Sequence, residues 1–225
     1  MISDTIVRAT DLARVYPTGA TAVSALDGVT LDVRRGEFLA VMGPSGSGKS
    51  TLLNIIAGLE RPTRGAVVVD GADLASLDES ALARYRRDKV GMIFQAFNLL
   101  PRYRVVENVA LPLVFAGVER ELRLARARAV LGRLGMGPRA DHRPSQLSGG
   151  EMQRTAIARA IVTEPQVLLA DEPTGNLDSA NGEALLALLS ELHARGQTVV
   201  LVTHDAAIAA RAQRVVRMRD GRIVA

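Results

Sequence analysis

The sequence predicts an α/β fold with a mainly parallel sheet, antiparallel strands at its N-terminal end and an inserted helical subdomain. Two segments of alternating character, residues 6–16 and 23–33, open the chain and indicate the antiparallel strands. From residue 38 onward, short apolar segments alternate with helical patterns, which is typical of a parallel sheet covered by helices. This alternation stops between residues 96 and 159, where two helical patterns follow each other with no strand between them.

We therefore expect a single domain over residues 1–225. Its core would comprise residues 1–95 and 160–225, and the helical insertion would occupy residues 96–159.

The individual elements follow from apolar periodicity and from the turn residues that bound each segment. Strands are predicted at residues 6–16, 23–33, 38–42, 66–71, 90–94, 167–171, 198–203, 214–218 and 222–224. Helices are predicted at residues 52–58, 79–87, 105–116, 119–134, 152–162, 181–194 and 205–212. A turn at Pro17–Gly19 separates the first two strands, and Ser76–Glu79 fits a capping box that begins the second helix.

A glycine-rich loop between the strand at 38–42 and the first helix fits the pattern G-x-x-x-x-G-K-[ST] of a phosphate-binding P-loop. Its residues are Gly43, Pro44, Ser45, Gly46, Ser47, Gly48, Lys49, Ser50 and Thr51. The glycines allow a close backbone approach, and the N–H groups at the start of the helix form an anion site. Lys49 would reach the outer phosphates of a nucleotide and Ser50 would ligate Mg²⁺. The fold class is therefore a P-loop NTPase core.

Two adjacent carboxylates, Asp171 and Glu172, follow the apolar strand at 167–171. In open α/β sheets the ligand lies at the carboxyl ends of the strands, which is where the P-loop also begins. Asp171 is placed to hold Mg²⁺ through water, and Glu172 to deprotonate a water that attacks a terminal phosphate. An acidic pair that is merely exposed before the turn at Pro173 is the alternative interpretation.

A second glycine-rich turn, Leu147–Glu151, begins the helix predicted at 152–162. The N-terminus of a helix attracts anions, so Ser148, Gly149 and Gly150 could contact a phosphate. A Ser-Gly-Gly sequence by itself usually indicates only a helix cap.

The composition limits the possible functions. Cysteine is absent, which excludes disulfides and thiol chemistry. The formal charge of +4 over 225 residues is a weak indication of a nucleic acid or anionic membrane partner, and a mixed solvated surface explains it better. Residues 1–5 do not begin a signal peptide. Since no apolar run reaches the ~18 residues that a spanning helix needs, we expect another chain to cross the membrane if this protein works at one.

The order and spacing of these motifs resemble those of the ATPase subunits of ABC transporters over almost the whole chain. The resemblance is carried by the P-loop, Gln95 after a strand, Leu147–Glu151, Asp171-Glu172, Gly175–Asp178 and His204. It implies ATP and Mg²⁺ as ligands, a homodimer in the ATP-bound state, and hydrolysis of ATP to ADP and phosphate.

The resemblance also implies roles for single residues. Ser148, Gly149 and Gly150 would close on the γ-phosphate that the other subunit holds, and Asp178 would cross the dimer interface. Gln95 would sense the phosphate and Mg²⁺ and touch the membrane partner, although a glutamine here could be an ordinary loop amide.

Two further residues would contact the nucleotide. His204 would contact the γ-phosphate, and Tyr16 would stack on adenine. Without the resemblance, His204 could simply neighbour a helix cap, and Tyr16 could simply finish an edge strand. The expected catalytic residues are thus Glu172, His204, Lys49 and Gln95.

Within that family, Phe97–Pro101, Glu107–Val109 and Pro173–Asp178 resemble most the lipoprotein-releasing and macrolide-exporter group. This resemblance implies peripheral attachment at the cytoplasmic face of the inner membrane. Because the sequence stops at Ala225, the permease is expected to be a separate subunit, contacted through Gln95–Pro112. Met152 and Arg102–Arg104 depart from the group's pattern. No nucleic acid partner is expected. The alternatives are a soluble ATPase acting on nucleic acid or ribosomes, and an ATPase that regulates a division-site membrane partner.

Overall fold

The computed structural model describes residues 4–18 and 21–224, which form two compact units. The first unit comprises Met1–Arg86 and Ser190–Ala225, and the second comprises Arg87–Leu189. The helical insertion predicted at residues 96–159 lies within the second unit. Gly19, the last residue of the predicted first turn, and residues 1–3 of the N-terminus lie outside the described residues.

The predicted α/β class is confirmed, with ten strands and seven α-helices in the part of the chain that the structure describes. The strands are β1 (Thr5–Thr18), β2 (Thr21–Arg34), β3 (Phe38–Met42), β4 (Arg64–Val69), β5 (Ala72–Asp73), β6 (Val90–Ile93), β7 (Val167–Asp171), β8 (Thr198–Thr203), β9 (Arg214–Arg219) and β10 (Arg222–Val224). The helices are α1 (Lys49–Ile56), α2 (Glu79–Lys89), α3 (Val105–Phe115), α4 (Arg120–Arg133), α5 (Gly149–Ile161), α6 (Ser179–Ala194) and α7 (Ala206–Ala209).

The first unit contains two sets of strands. An antiparallel sheet has the order β2-β1-β4-β5. In the other set, β3 runs parallel to both β8 and β9, and β10 pairs antiparallel with β9. Every residue of β8 is buried, as are the first four of β3, because both are apolar strands flanked by partners or helices.

In the second unit, β6 and β7 form a parallel pair from Val90 opposite Val167 to Ile93 opposite Ala170. Helices α3, α4 and α5 pack on one another through buried aliphatic side chains. Gly91 of β6 lets α5 approach closely, because a Cβ there would lie 2.4 Å from the carbonyl oxygen of Ala160. No helix in the described ranges is long and apolar enough to cross a membrane.

The structure corrects the prediction that a capping box at Ser76–Glu79 begins the second helix, α2. Ser76 does not cap this helix, since its hydroxyl donates to the carbonyl oxygen of Asp73 at 2.7 Å. Asp78 takes the capping role instead, and its Oδ1 accepts a hydrogen bond from the backbone N–H of Ala81 at 2.7 Å. An aspartate caps as well as a serine does, and the position closer to the first helical turn is the one used.

Candidate functional site

In the first unit, the P-loop connects β3 to α1 and needs its glycines for close packing. A Cβ at Gly43 would lie 2.2 Å from the carbonyl oxygen of Met218 in β9. A Cβ at Gly48 would lie 2.2 Å from the carbonyl oxygen of Ala25 in β2, and its φ of 94° is in the left-handed region. Any side chain at either position would therefore push the loop away from the strands that support it.

The positive charge of the loop comes from Lys49, which is only 6% exposed. Its Nζ donates to the carbonyl oxygen of Pro44 at 2.8 Å. This ammonium group gives the loop a positive charge that can attract an anion. Gly48, the N-cap residue of α1, has no side chain with which to cap the helix, so the first N–H groups also face an anion site.

His204 follows directly after β8 at the edge where the P-loop begins. The pairing of β3 with β8 places Met42 opposite Thr203, and the N–H of Gly43 donates to the carbonyl oxygen of Thr203 at 3.3 Å. His204 is exposed, and Asp205 rather than the histidine caps α7, accepting from the N–H of Ala207 at 2.7 Å. The first unit therefore brings His204 close to the start of the P-loop.

Tyr16 lies in β1 and is half-buried. The guanidinium carbon of Arg14 lies 4.6 Å from the centroid of the Tyr16 ring. The Tyr16 hydroxyl donates a hydrogen bond to Glu60. Neither Arg14 nor Glu60 was identified from the sequence, because their contact with Tyr16 depends on how β1 packs against the turn after α1.

In the second unit, the pairing of β6 with β7 brings together the residues that follow these strands. Asp171 ends β7, and Gln95 comes two residues after Ile93, the last residue of β6. Glu172 has a φ of 44°, a left-handed conformation that costs a residue with a side chain roughly 1–2 kcal/mol. The neighbouring structure therefore holds Glu172 in a conformation that it would not adopt alone.

The loop after Glu172 lies against Gln95. A Cβ at Gly175 would lie 2.7 Å from Nε2 of Gln95, so any side chain there would require the exposed glutamine side chain to move. The side-chain amide of Asn176 also donates to the carbonyl oxygen of Gln95 at 3.0 Å. Two of the sequence motifs are thus in direct contact.

Ser148 caps α5 in a reciprocal capping box with Glu151. Its hydroxyl accepts from the N–H of Glu151 at 3.3 Å, and Oε2 of Glu151 accepts from the N–H of Ser148 at 2.8 Å. The Arg139 guanidinium lies 2.8 Å from the other carboxylate oxygen. The N–H of Ser148 first, and then Arg139, hold the pKa of the Glu151 carboxyl below its usual value.

Asp178 caps α6 and is connected to the Ser-Gly-Gly turn through Asn181. Its carboxylate accepts from the backbone N–H of Asn181 at 2.8 Å and from the side-chain amide of Asn181 at 2.8 and 3.0 Å. The backbone hydrogen bond is the largest reason why the pKa of Asp178 is lowered. A Cβ at Gly150 would lie 1.9 Å from Oδ1 of Asn181, so Gly150 is what leaves room for this amide.

The sequence offered only a weak signal for Asn181, which lies three residues after the capping Asp178. It offered none for Gln153, a side chain that is 1% exposed. Gln153 links α5 to the loop after Glu172, because its amide donates to the carbonyl oxygen of Pro173 at 2.9 Å.

The donors for Mg²⁺ are of the right chemical kind. Ser50 offers a hydroxyl and Asp171 a carboxylate, and Mg²⁺ usually takes one or two such protein oxygens, with phosphates and water completing its shell. The described residues contain no cluster of three or more His, Cys, Asp or Glu side chains that could hold a metal.

Comparisons with known proteins identify relatives over nearly the full length of the chain. The family model described as ABC transporter matches residues 26–175. The macrolide export ATP-binding/permease protein MacB of Rhodospirillum rubrum is 53% identical over 219 residues, which are 97% of this chain and 34% of that protein. MacB of Shigella flexneri is 51% identical over 214 residues, or 95% of this chain and 33% of that protein. The chain thus spans about a third of the length of these relatives.

Solved structures agree with the sequence relatives. The dimeric structure of MJ0796, a bacterial ABC transporter cassette, has a TM-score of 0.90 and 43% sequence identity, with 97% of each chain covered. A second dimeric structure of this cassette, in a post-hydrolysis state bound to ADP and Pi, matches with the same TM-score, identity and coverage.

Proposed function

Since this chain belongs to the ABC transporter family and carries its ATP-binding domain, we propose that it hydrolyses ATP to drive a membrane permease. The observation that carries this proposal is the construction of the P-loop. Gly43 and Gly48 allow the loop to lie against β9 and β2, and Lys49 places a positive charge inside it. A loop built in this way holds the phosphates of a nucleotide through backbone N–H groups and one ammonium group.

In this proposal the chain's own oxygen ligands position the metal and the water. Ser50 and Asp171 hold Mg²⁺, which when bound offsets the charge that develops on the phosphates. Gln95 helps to hold the metal and the attacking water. The contact between Gln95 and the loop at Gly175 supports a defined position for Gln95 within the second unit.

Glu172 is the proposed general base. Its carboxylate takes a proton from water while the water oxygen bonds to the γ-phosphorus, and the bond from that phosphorus to the bridging oxygen of ADP breaks. His204 donates a hydrogen bond to the γ-phosphate. The left-handed backbone at Glu172 supports this role, because such strained conformations concentrate at functional sites.

The proposal also includes a dimer that closes on ATP. Ser148, Gly149 and Gly150 of one copy would contact the γ-phosphate bound at Lys49 of the other, with Asp178 at the interface. The dimeric structure of the MJ0796 cassette, at 43% identity, supports the formation of a dimer. The N–H groups at the start of α5 provide a site of suitable polarity for the phosphate.

The proposed partner is a membrane permease for the export of drugs, lipoproteins or peptides, with the chain attached peripherally at the cytoplasmic face. Its similarity to the macrolide exporters supports this partner. Within residues 95–112 the side chains of Leu100 and Tyr103 are exposed, at 38% and 46%, whereas Leu99 is half-buried. These exposed apolar side chains form the surface that we propose for the contact.

Two substitutions test the ATPase. Lys49→Ala should abolish high-affinity ATP binding in a titration calorimeter. Glu172→Gln should still bind ATP but lose roughly 10²–10⁴-fold in turnover, the usual cost of removing a general base.

The same Glu172→Gln variant should become an ATP-dependent dimer in size-exclusion chromatography with light scattering. Adding Ser148→Arg should abolish that dimer while leaving ATP binding in the monomer. Hydrolysis at the parent rate by Glu172→Gln, or unchanged ATP affinity in Lys49→Ala, would contradict the proposed site.

A further inference from the structure

We propose that Arg14 and Glu60 are positioning residues that hold the ring of Tyr16 as a platform for the adenine base. This inference rests on the proposed function, in which ATP occupies the P-loop of the same unit. According to this proposal, the two side chains determine how much the adenine base adds to the affinity for the nucleotide.

Glu60 fixes the end of the tyrosine side chain. The Tyr16 hydroxyl donates to Oε2 of this carboxylate. The other oxygen, Oε1, accepts from the side-chain amide of Asn54 at 2.9 Å. Asn54 belongs to α1, the helix that begins at Lys49, so one carboxylate connects the ring to the phosphate-binding helix.

Arg14 fixes the plane of the ring. Its guanidinium carbon lies 4.6 Å from the ring centroid, which is within the range of a cation–π contact. Its Nε also lies 3.5 Å from Oε2 of Glu60. Because the cation covers one face of the ring, a stacked base takes the opposite face, and the cation favours stacking by drawing electron density from the ring.

The position of Arg14 is costly, which argues against a chance surface contact. Its Nε is buried without a hydrogen-bond partner among the described residues. Long charged side chains ordinarily keep their N–H groups in water. The Arg14 side chain instead keeps its Nε buried near the aromatic ring, where the nearby Oε2 of Glu60 offers an ion pair at 3.5 Å but no hydrogen bond.

Hydrogen bonds of the β1 backbone also hold Tyr16 close to the turn that carries Glu60. The N–H of Val15 donates to the hydroxyl of Thr63 at 3.1 Å, and the N–H of Thr63 donates to the carbonyl oxygen of Ala13 at 2.8 Å. The pairing of β1 with β2 is also irregular between Arg14 and Val15, and such irregularities redirect side chains. The turn that carries Glu60 is therefore clamped to the strand that carries Tyr16.

The test compares ATP with inorganic tripolyphosphate, which has no base, by titration calorimetry in the presence of Mg²⁺. The parent should bind ATP more tightly than tripolyphosphate. Arg14→Met and Glu60→Ala should each weaken ATP binding about two- to fivefold, the range expected for a cation–π contact, and leave tripolyphosphate binding unchanged. Glu60→Gln, which keeps an acceptor for the tyrosine hydroxyl, should restore most of the affinity.

Two controls isolate the effect. Arg8→Met removes another arginine from β1, one whose side chain is 57% exposed, and should change neither affinity. Glu60→Ala should have a smaller effect in a Tyr16→Phe background, where the hydroxyl is already missing and only the contact of Glu60 with Arg14 remains to be lost.

Each other outcome has a distinct meaning. Equal affinity of the parent for both ligands, or an equal loss of both ligands in Arg14→Met and Glu60→Ala, would overturn the platform. A parent that binds neither ligand would overturn the proposed function itself and the platform with it.

Discussion

The side-chain amide of Gln153 donates a hydrogen bond to the backbone carbonyl oxygen of Pro173 at 2.9 Å. Gln153 is almost completely buried in α5, and Pro173 directly follows Glu172. The bond therefore joins α5, the helix that Ser148 caps, to the residue next to the proposed base, within one unit. Oε1 of the same amide is buried without a partner among the described residues, so this side chain serves orientation more than stability.

Replacing Gln153 should slow hydrolysis without weakening ATP binding. Gln153→Met keeps the volume but removes the bond to Pro173, which is worth about 1 kcal/mol, so we expect kcat to fall about fivefold with an unchanged KM. Urea unfolding should show little change, because the unpaired Oε1 disappears as well. Gln166→Met, at an exposed glutamine of the same unit, is the matched control. An unchanged kcat in Gln153→Met would contradict the positioning role.

A methyl group at Gly150 should disturb the start of α6. In Gly150→Ala the new Cβ would lie 1.9 Å from Oδ1 of Asn181, so the asparagine side chain must move. This movement disrupts the hydrogen bonds between Asn181 and Asp178, the residue that caps α6. We expect lower stability in urea unfolding and, in the Glu172→Gln background, a weaker ATP-dependent dimer by light scattering.

Gly132→Ala is the control for the Gly150 variant, since Gly132 lies in α4 with no atom within 4 Å of a Cβ there. This change should instead stabilise the chain by about 0.5–1 kcal/mol, the helix preference of alanine over glycine. If both variants gain stability, the proposed clash at Asn181 is wrong.

The stability that Glu151 contributes should depend on pH. Its lowered pKa means that the folded chain favours the carboxylate, so the contribution is present above the ordinary value of 4.5 and is lost as the pH falls through the lowered value. Glu151→Gln should be less stable than the parent by roughly 0.5–1 kcal/mol at pH 7, the usual worth of a charge at a helix N-terminus. Urea unfolding from pH 7 to pH 3 checks this, and a gap that stays constant at low pH would count against it.

The permease contact should depend on Leu100, whose backbone is held in place while its side chain is exposed. Buried Asn108 accepts from the N–H of Leu100 at 2.7 Å and donates to its carbonyl oxygen at 3.1 Å. Leu100→Glu should therefore abolish co-purification with the permease and leave ATP affinity unchanged, because a charge cannot enter an apolar interface without a partner. Leu59→Glu, at a leucine 48% exposed in the other unit, should retain the permease.

The sequence predicted the fold well where the burial of apolar side chains alone decides the local structure. The strands β3, β7 and β8 match their predicted bounds, because a short apolar run between turn residues has few alternatives to a buried strand. Helix bounds were less certain. The helix predicted at 152–162 begins at Gly149, since the capping box of Ser148 and Glu151 outweighs the poor helix propensity of two glycines.

The residues that the sequence did not reveal act through contacts between distant segments. The role of Glu60 depends on a turn that is clamped to β1, and the role of Gln153 depends on where α5 passes the loop after β7. Neither position carries a local pattern, because a glutamate in a turn and a glutamine in a helix are both ordinary. The roles proposed for the P-loop and for Glu172 remain predictions that the experiments above test, and the role proposed for His204 also remains a prediction.

The contact between Gly43 and Met218 has a consequence for the order in which the protein takes shape during synthesis. The support of the P-loop includes β9 and the N–H of Gly221, which donates to the carbonyl oxygen of Ser47 at 3.2 Å. A nascent chain emerges from the ribosome N-terminal end first, so residues 43–51 cannot pack fully until residues 218–221 have been synthesised. A nucleotide would then be held firmly only after the hairpin of β9 and β10 has packed against the loop.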